Sequence, residues 1–260
     1  MTNRLIAACW FIFVGVTSAA FFIIALVIRV ITRPFDPRLR ILQQFTCFWA
    51  ALYTWIIPAW HIRIEGRRNI RRGATYVVVS NHQSLLDILV LFKLFFHFKF
   101  VSKTEIFKVP FIGWNMYLNG YIRLTRGDKE SVSRMMADAE KSLAQGNSIL
   151  IFPEGTRSPD GSIKAFKPGA FILARKMKVP ILPIVISGTN SALPKYSLQF
   201  HGSHEIRIRV LDEIPYDRFA DKTIDDLSDM VRGTMIAELS RQMAPHSAAG
   251  FPVQPVIGGE

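Results

Sequence analysis

Between Leu5 and Ile28 the chain runs for 24 residues without one charged side chain. Coiled as a helix, such a stretch is about 36 Å long, against about 30 Å for the hydrocarbon core of a bilayer. A second uncharged run, Ile41 to Trp60, follows a linker that carries Arg29, Arg33, Arg38 and Arg40 against the single acid Asp36. The first expectation is therefore two membrane segments joined by a basic turn, a hydrophobic helical hairpin at the amino end. A cleaved secretory signal is the competing reading, with Arg4 in its basic region and Ser18, Ala19 and Ala20 near the cut. Against it, the apolar run continues through Phe21, Phe22, Ile23, Ile24, Leu26, Val27 and Ile28, a poor start for a mature soluble protein.

Charge orients the anchor. The linker arginines and Arg63, Arg67, Arg68, Arg71 and Arg72 beyond the second run all favour the cytoplasmic side. Both flanks lie inside only if the first segment crosses alone, or if the pair enters one leaflet as a re-entrant hairpin. The remaining 200 residues then face the cytoplasm, at the inner membrane in a bacterium. The formal charge of +12 leaves +8 on that part once the five Arg and one Asp of residues 1–60 are set aside. Such a balance suits an anionic membrane surface and excludes an acidic or neutral scaffold. Cys9 and Cys47 both sit in apolar runs, so neither a disulfide framework nor a zinc site is expected.

Three sections follow: membrane-associated segments over 1–60, an α/β domain over 61–243, and a disordered tail over 244–260, rich in Pro, Gly and Ala. In the middle section short β-branched runs alternate with helical patterns. Strands are expected at Tyr76 to Ser80, Phe98 to Val101, Tyr121 to Leu124, Ser148 to Phe152, Ile181 to Ser187 and Glu205 to Leu211. Helices are expected from about Asp87, within 103–118, over Lys129 to Gln145 with Val132, Met135, Met136, Ala139 and Leu143 on one face, over Gly169 to Lys178, and around Ile224 to Leu239. The fold class is α/β: a mixed β-sheet flanked by helices.

Two constellations carry chemistry. His82 and Asp87 are five apart, about 140° out of phase on a regular helix, so they meet only if His82 is in the loop leaving a strand and Asp87 in the first helical turn. The carboxylate would then fix the imidazole tautomer and raise the basicity of the other nitrogen, as a general base acting on an alcohol requires. The bland reading is a capping box, Ser84-x-x-Asp87, with His82 an ordinary loop residue. The second constellation is Phe152-Pro153-Glu154-Gly155-Thr156-Arg157-Ser158, leaving a buried strand. Gly permits close backbone approach and Arg matches a phosphate bidentately. A plain turn with an internal Glu154 to Arg157 pair reads equally well from physics alone. His201 and His204, without cysteines nearby, read as loop residues, and no Rossmann, hydrolase or P-loop signature is present.

Taken together, these blocks resemble the glycerolipid acyltransferases. NHQSLLD (Asn81 to Asp87) is similar to that family's H-x-x-x-x-D block, and FPEGTRS to its phosphate-binding block. Lys103, Glu105, Pro110 and Gly113 fit K-x-E-x-x-x-x-P-x-x-G, Gly120 to Arg126 resembles the glycine to Asp-Arg block with Thr125 in place of the acid, and Val179 to Thr189 resembles the last block. The resemblance runs over roughly residues 62 to 215. It implies a glycerol-3-phosphate acyltransferase-like fold. It also implies that His82 takes the proton from the free hydroxyl of a lysophospholipid, chiefly lysophosphatidic acid, with Asp87 orienting it. Lys103, Arg126, Glu154, Gly155, Thr156 and Arg157 would form the phosphate site, Glu154 as its brace. Acyl-CoA or acyl-carrier protein would be the co-substrate, with no metal and no organic cofactor, and membrane phospholipid the surroundings. Competing readings are acylation of another lysolipid, such as lyso-ornithine lipid or lysocardiolipin, and a non-catalytic protein docked on anionic lipid. Nucleic acid is the weaker partner, since the Arg clusters flank apolar segments.

Overall fold

A computed structural model describes residues 2–194 and 203–243. The expected tail over 244–260 and His201 lie outside the described residues. The long apolar run forms α1 (Thr2–Thr32), and after a turn α2 (Arg40–Trp55) folds back on it. The α/β part follows as β1 (Trp60–Glu65), β2 (Val77–Ser80), α3 (Leu86–Phe92), β3 (Phe98–Lys103), α4 (Ile112–Leu118), β4 (Ile122–Leu124), α5 (Lys129–Ala144), β5 (Ser148–Ile151), α6 (Gly169–Met177), β6 (Ile181–Ser187), α7 (Thr189–Ala192), β7 (His204–Val210) and α8 (Ile224–Met243).

The seven strands form one sheet in the order β1-β7-β6-β2-β5-β3-β4. The five from β6 to β4 run parallel, β7 is antiparallel to β6, and β1 pairs in parallel with β7. All five parallel strands therefore end on the same side, where ligands collect in open α/β sheets. Both faces are covered, so the strands read as apolar runs and the period-2 pleat sorts their residues. Val78, Leu150, Leu182, Ile184 and Phe98 pack toward α1, α2 and α3. Val77, Val79, Ile149, Ile181 and Val185 pack toward α5, α6 and α8 through Met135, Phe171, Leu227 and Val231. On α5 one position differs from expectation: Met135, Ala139 and Leu143 are buried, but Val132 in the first turn is exposed and Ser131 beside it is buried, its hydroxyl accepting the Thr125 N–H at 2.8 Å while the Asp128 carboxylate caps the Glu130 and Ser131 N–H groups.

The strand β1 was absent from the sequence expectations, which ended the second apolar run at Trp60. His61-Ile62-Arg63-Ile64-Glu65 alternates as an edge strand does, and its charges pair across to β7: Arg63 with Glu205 at 3.1 Å and Glu65 with Arg209 at 2.6 Å.

The two apolar runs behave differently. Of α1, the stretch Ala8–Thr32 has mean hydropathy 2.7 and is 11% buried across its most apolar window, and it is the one described helix long and apolar enough to cross a membrane. The second run gives α2, 16 residues or about 24 Å long, short of a full crossing, with Phe48 and Trp55 exposed on it. Its Leu42, Gln43, Cys47, Ala51, Tyr53 and Thr54 are buried within the protein. Its apolar character serves the core that it shares with α1 and α3. The hairpin is joined by polar contacts as well, centred on the Tyr53 hydroxyl, which meets Trp49 Nε1 at 2.7 Å, Thr17 Oγ1 at 2.9 Å and Ser18 Oγ at 3.1 Å.

Lys99 ties this hairpin to the sheet. It lies on β3, is 3% exposed, and its Nζ donates to the carbonyls of Asn119 at 2.7 Å and Arg38 at 3.3 Å. Burial lowers its pKa to about 7, opposed by the nearby Asp36 carboxylate and assisted by Arg29. The unfolded chain keeps that proton to about pH 10, so above pH 7 the unfolded state binds more protons than the folded one and stability rises with pH. The apparent melting temperature is expected to climb from pH 7 to pH 9 in wild type and to stay flat in Lys99→Met; a wild-type profile that is flat or falling over that interval would contradict this.

Candidate active site

The carboxyl ends of the five parallel strands each deliver a piece of one site. The loop leaving β2 carries His82, that leaving β5 carries Glu154 to Arg157, β3 ends on Lys103, the turn after β4 holds Arg126, and β6 gives way through Gly188 to Thr189. Because β2 and β5 are parallel neighbours, their loops leave side by side. They are stitched together: the His82 N–H donates to Glu154 Oε1 at 2.8 Å, and the Ser158 N–H donates to the His82 carbonyl at 2.8 Å.

His82 Nδ1 lies 2.8 Å from Asp87 Oδ2. The same oxygen accepts the N–H groups of Gln83 at 2.6 Å and Ser84 at 2.8 Å, so the loop before α3 closes around the carboxylate. The two readings of this segment thus coincide: Asp87 reaches back to the Ser84 N–H as a capping acid does, and with the same oxygen it holds the imidazole. Its other oxygen, Oδ1, accepts from Thr189 Oγ1 at 2.5 Å. Asp87 is fully buried. With an ionised carboxylate on Nδ1, the Nδ1 hydrogen is held there and Nε2 keeps its lone pair. The ring is also fixed from the side by Phe152, stacked at 4.1 Å between centroids and 16° between planes.

The rest of NHQSLLD is scaffolding. Asn81 exchanges two 2.8 Å hydrogen bonds with the backbone of Ile186, continuing the pairing of β2 and β6 through a side-chain amide. Gln83 Nε2 donates to the Gly161 carbonyl at 2.9 Å, and Ser84 Oγ to that of Leu193 at 2.6 Å.

His82 opens onto a cavity of about 920 Å³. At one end its wall carries Lys103, Arg126, Gly155, Thr156, Arg157 and Lys167; at the other it is apolar, with Trp10 of α1, Trp49 of α2 and Phe92 of α3. Lys103 Nζ is 3.5 Å from Glu105. Burial lowers the pKa of Arg126, with Glu105 opposing and repulsion from Arg157 adding to the shift. Thr125, standing where the family pattern has an acid, instead meets the Thr104 hydroxyl at 2.9 Å. Gly155 has φ +68°, and a Cβ there would sit 2.9 Å from Lys167 Cε, so the glycine both makes the turn and leaves room for the lysine.

Glu154, expected as the brace of the phosphate loop, lies behind that wall. Glu154 is buried, and its oxygens accept backbone N–H groups, Oε1 from His82 and Oε2 from Lys164 at 3.1 Å. A carboxylate so engaged braces the loop and would repel a phosphate. Burial raises its pKa, partly offset by those two N–H groups. Conversely, Phe152, Lys167 and Thr189 belong to the site and were given no role from sequence. Phe152 and Thr189 fall inside the quoted blocks, whereas Lys167 had no local signal.

A family model described as Acyltransferase matches residues 61–187. A 1-acyl-sn-glycerol-3-phosphate acyltransferase of Chlamydomonas reinhardtii is 36% identical over 233 residues, covering 88% of this chain and 70% of the relative. The chain belongs to the acyltransferase family. A second relative, a chloroplastic 1-acyl-sn-glycerol-3-phosphate acyltransferase of Arabidopsis thaliana, is 40% identical over 197 residues, 75% of this chain and 54% of that protein. The crystal structure of the 1-acyl-sn-glycerophosphate acyltransferase PlsC from Thermotoga maritima shares the fold, with a TM-score of 0.80 at 24% identity over 95% of this chain and 98% of that one. The expected α/β acyltransferase fold, with its hydrophobic amino-terminal helices, is thus the observed one. Histidine or cysteine clusters able to hold a metal are not found among the described residues of this acyltransferase.

Glu154→Ala would leave two buried backbone donors without an acceptor, at about 1 to 3 kcal/mol each. Denaturant unfolding is expected to show a loss of about 2 kcal/mol or more, with Glu154→Gln, which keeps one acceptor, between the two. Unfolding curves that coincide for all three proteins would remove the bracing role.

Proposed function

We propose that this protein transfers a fatty acyl group from acyl-CoA or acyl-carrier protein to the free sn-2 hydroxyl of lysophosphatidic acid, giving phosphatidic acid, with His82 as general base. The observation that carries the reading is that one cavity joins a cationic end, the open side of the His82–Asp87 pair and an apolar chamber. A lysophosphatidate has the matching order of parts: a phosphate, a hydroxyl two carbons away and an acyl chain. The names of the relatives favour this substrate over other lysolipids.

In the proposed reaction Arg157, Arg126, Lys103 and the Gly155–Thr156 loop receive the phosphate. The sn-2 hydroxyl sits at Nε2 of His82. As its oxygen attacks the thioester carbonyl, the proton passes to Nε2, and Asp87 balances the imidazolium that forms. The tetrahedral intermediate collapses with loss of the thiolate, which takes that proton and leaves as the thiol. The acceptor is the nucleophile, so no acyl-enzyme forms, and the steps draw on no metal or organic cofactor. Catalysis is positioning plus base action.

Membrane attachment follows from the substrates. Extracting a long acyl chain into water costs on the order of 10 kcal/mol at about 0.8 kcal/mol per CH₂. Phe11, Leu85, Val109 and Ile112 each line the cavity and are solvent-exposed. With the uncovered face of α1 they offer an apolar rim through which lipid enters sideways. The excess of arginines after α1, in the linker and beyond α2, favours the cytoplasmic face for the reacting domain.

Purified protein in mild detergent, given lysophosphatidic acid and a labelled long-chain acyl-CoA, and in a second arm acyl-carrier protein, is expected to form labelled phosphatidic acid. His82→Ala is expected to lower kcat by roughly 10² to 10⁴. Arg157→Ala is expected to raise KM for lysophosphatidic acid more than for the thioester. Folded wild type that gives no product with either donor, or His82→Ala that turns over normally, would overturn the reading.

A further inference from the structure

The last block of the sequence, Val179 to Thr189, has no part in the reaction above, yet it ends beside the reacting pair. Thr189 is fully buried at the start of the short α7, directly after β6. Its hydroxyl donates to Asp87 Oδ1 at 2.5 Å, the oxygen that His82, Gln83 and Ser84 leave untouched, and lies 3.4 Å from Gln83 Oε1. The backbone is shaped for this approach. Gly188 has φ +84°, and a Cβ there would sit 2.1 Å from the Glu205 carbonyl oxygen, so the turn that aims Thr189 at Asp87 admits glycine alone without displacement of β7.

We propose that Thr189 is a positioning residue for the acyl transfer, setting how strongly Asp87 acts on His82. The proposal rests on the reading of His82 as base. Asp87 Oδ2 alone serves the imidazole and two N–H groups; without a donor on Oδ1 the carboxylate is free to turn about its Cβ–Cγ bond and to bring either oxygen to the ring. Thr189 removes that freedom. It also draws charge toward Oδ1, away from the imidazole. A carboxylate relieved of that donor holds an imidazolium more firmly, so the resting base stays protonated to higher pH. The charged groups facing the pair are Glu154 from the β5 loop, bonded to the His82 N–H, and Lys103, Glu105, Arg126, Arg157 and Lys167 on the cavity wall. None is altered by a change at Thr189.

The test compares wild type, Thr189→Val, Thr189→Ser and His82→Ala in the lysophosphatidate assay across pH 5.5 to 9. Valine keeps the shape and loses the donor; serine keeps the donor. Thr189→Val is expected to lower kcat about tenfold or more, with KM for either substrate changed less than twofold, and to move the acid limb of the kcat/KM profile to higher pH. Thr189→Ser is expected to restore both toward wild type. Thermal unfolding of each variant separates a folding defect from this effect: loss of activity with an unmoved acid limb, or a serine variant no better than valine, means a packing role and overturns the proposal. So does Thr189→Val with wild-type kcat while His82→Ala is inactive, which leaves the base intact. If His82→Ala is itself active, the reading of the base fails first and this proposal falls with it.

Discussion

A carboxylate with no access to water has to be surrounded by donors, because an unpaired buried charge costs several kcal/mol. Asp87 meets that demand with a ring nitrogen, two backbone N–H groups and a hydroxyl, drawn from the loop after β2 and the start of α7. Each of those donors is placed by something further out. Asn81 anchors the loop to β6, Glu154 anchors it to the β5 loop, and Gly188 gives Thr189 its approach. The need to compensate one buried charge thus fixes the mutual positions of three strand ends, and the imidazole that shares the charge is aimed as a result.

The sheet makes this arrangement available. Five parallel strands end on one side, and their exits are spaced at strand-to-strand distance, near enough for side chains of neighbouring loops to meet. Cations from the ends of β3, β4 and β5 gather at one part of the rim. The apolar helices α1 and α2 close the other part, so polarity changes along a single cavity. The phospholipid precursor of the proposed reaction has that same change of polarity along its length.

Much of this was readable from residues because the physics behind it is local. Strand and helix limits in the middle of the chain follow from short β-branched runs and amphipathic periods; the phase of a helix told where His82 and Asp87 would have to sit in order to meet, and the resemblance to the glycerolipid acyltransferases gave the pairing itself. What escaped depended on contacts between distant segments. Val132 was placed inward by period alone, whereas its neighbour Ser131 is the buried residue, bonded to the Thr125 N–H. The second apolar run ends in β1, whose pairing with β7 joins segments more than 140 residues apart. Thr189 meets Asp87 across 102 residues of sequence. Such partners become visible only when the sheet order is known.

In the proposed reaction one cavity holds the phosphate, the hydroxyl and the acyl chain in line past His82. A crystal structure with lysophosphatidic acid bound is expected to show the sn-2 oxygen within about 3 Å of His82 Nε2, the phosphate on Arg157 with Lys103 or Arg126, and the acyl chain toward Trp10 and Trp49. A phosphate bound away from Arg157, or a hydroxyl out of reach of the imidazole with the site otherwise filled, would contradict it.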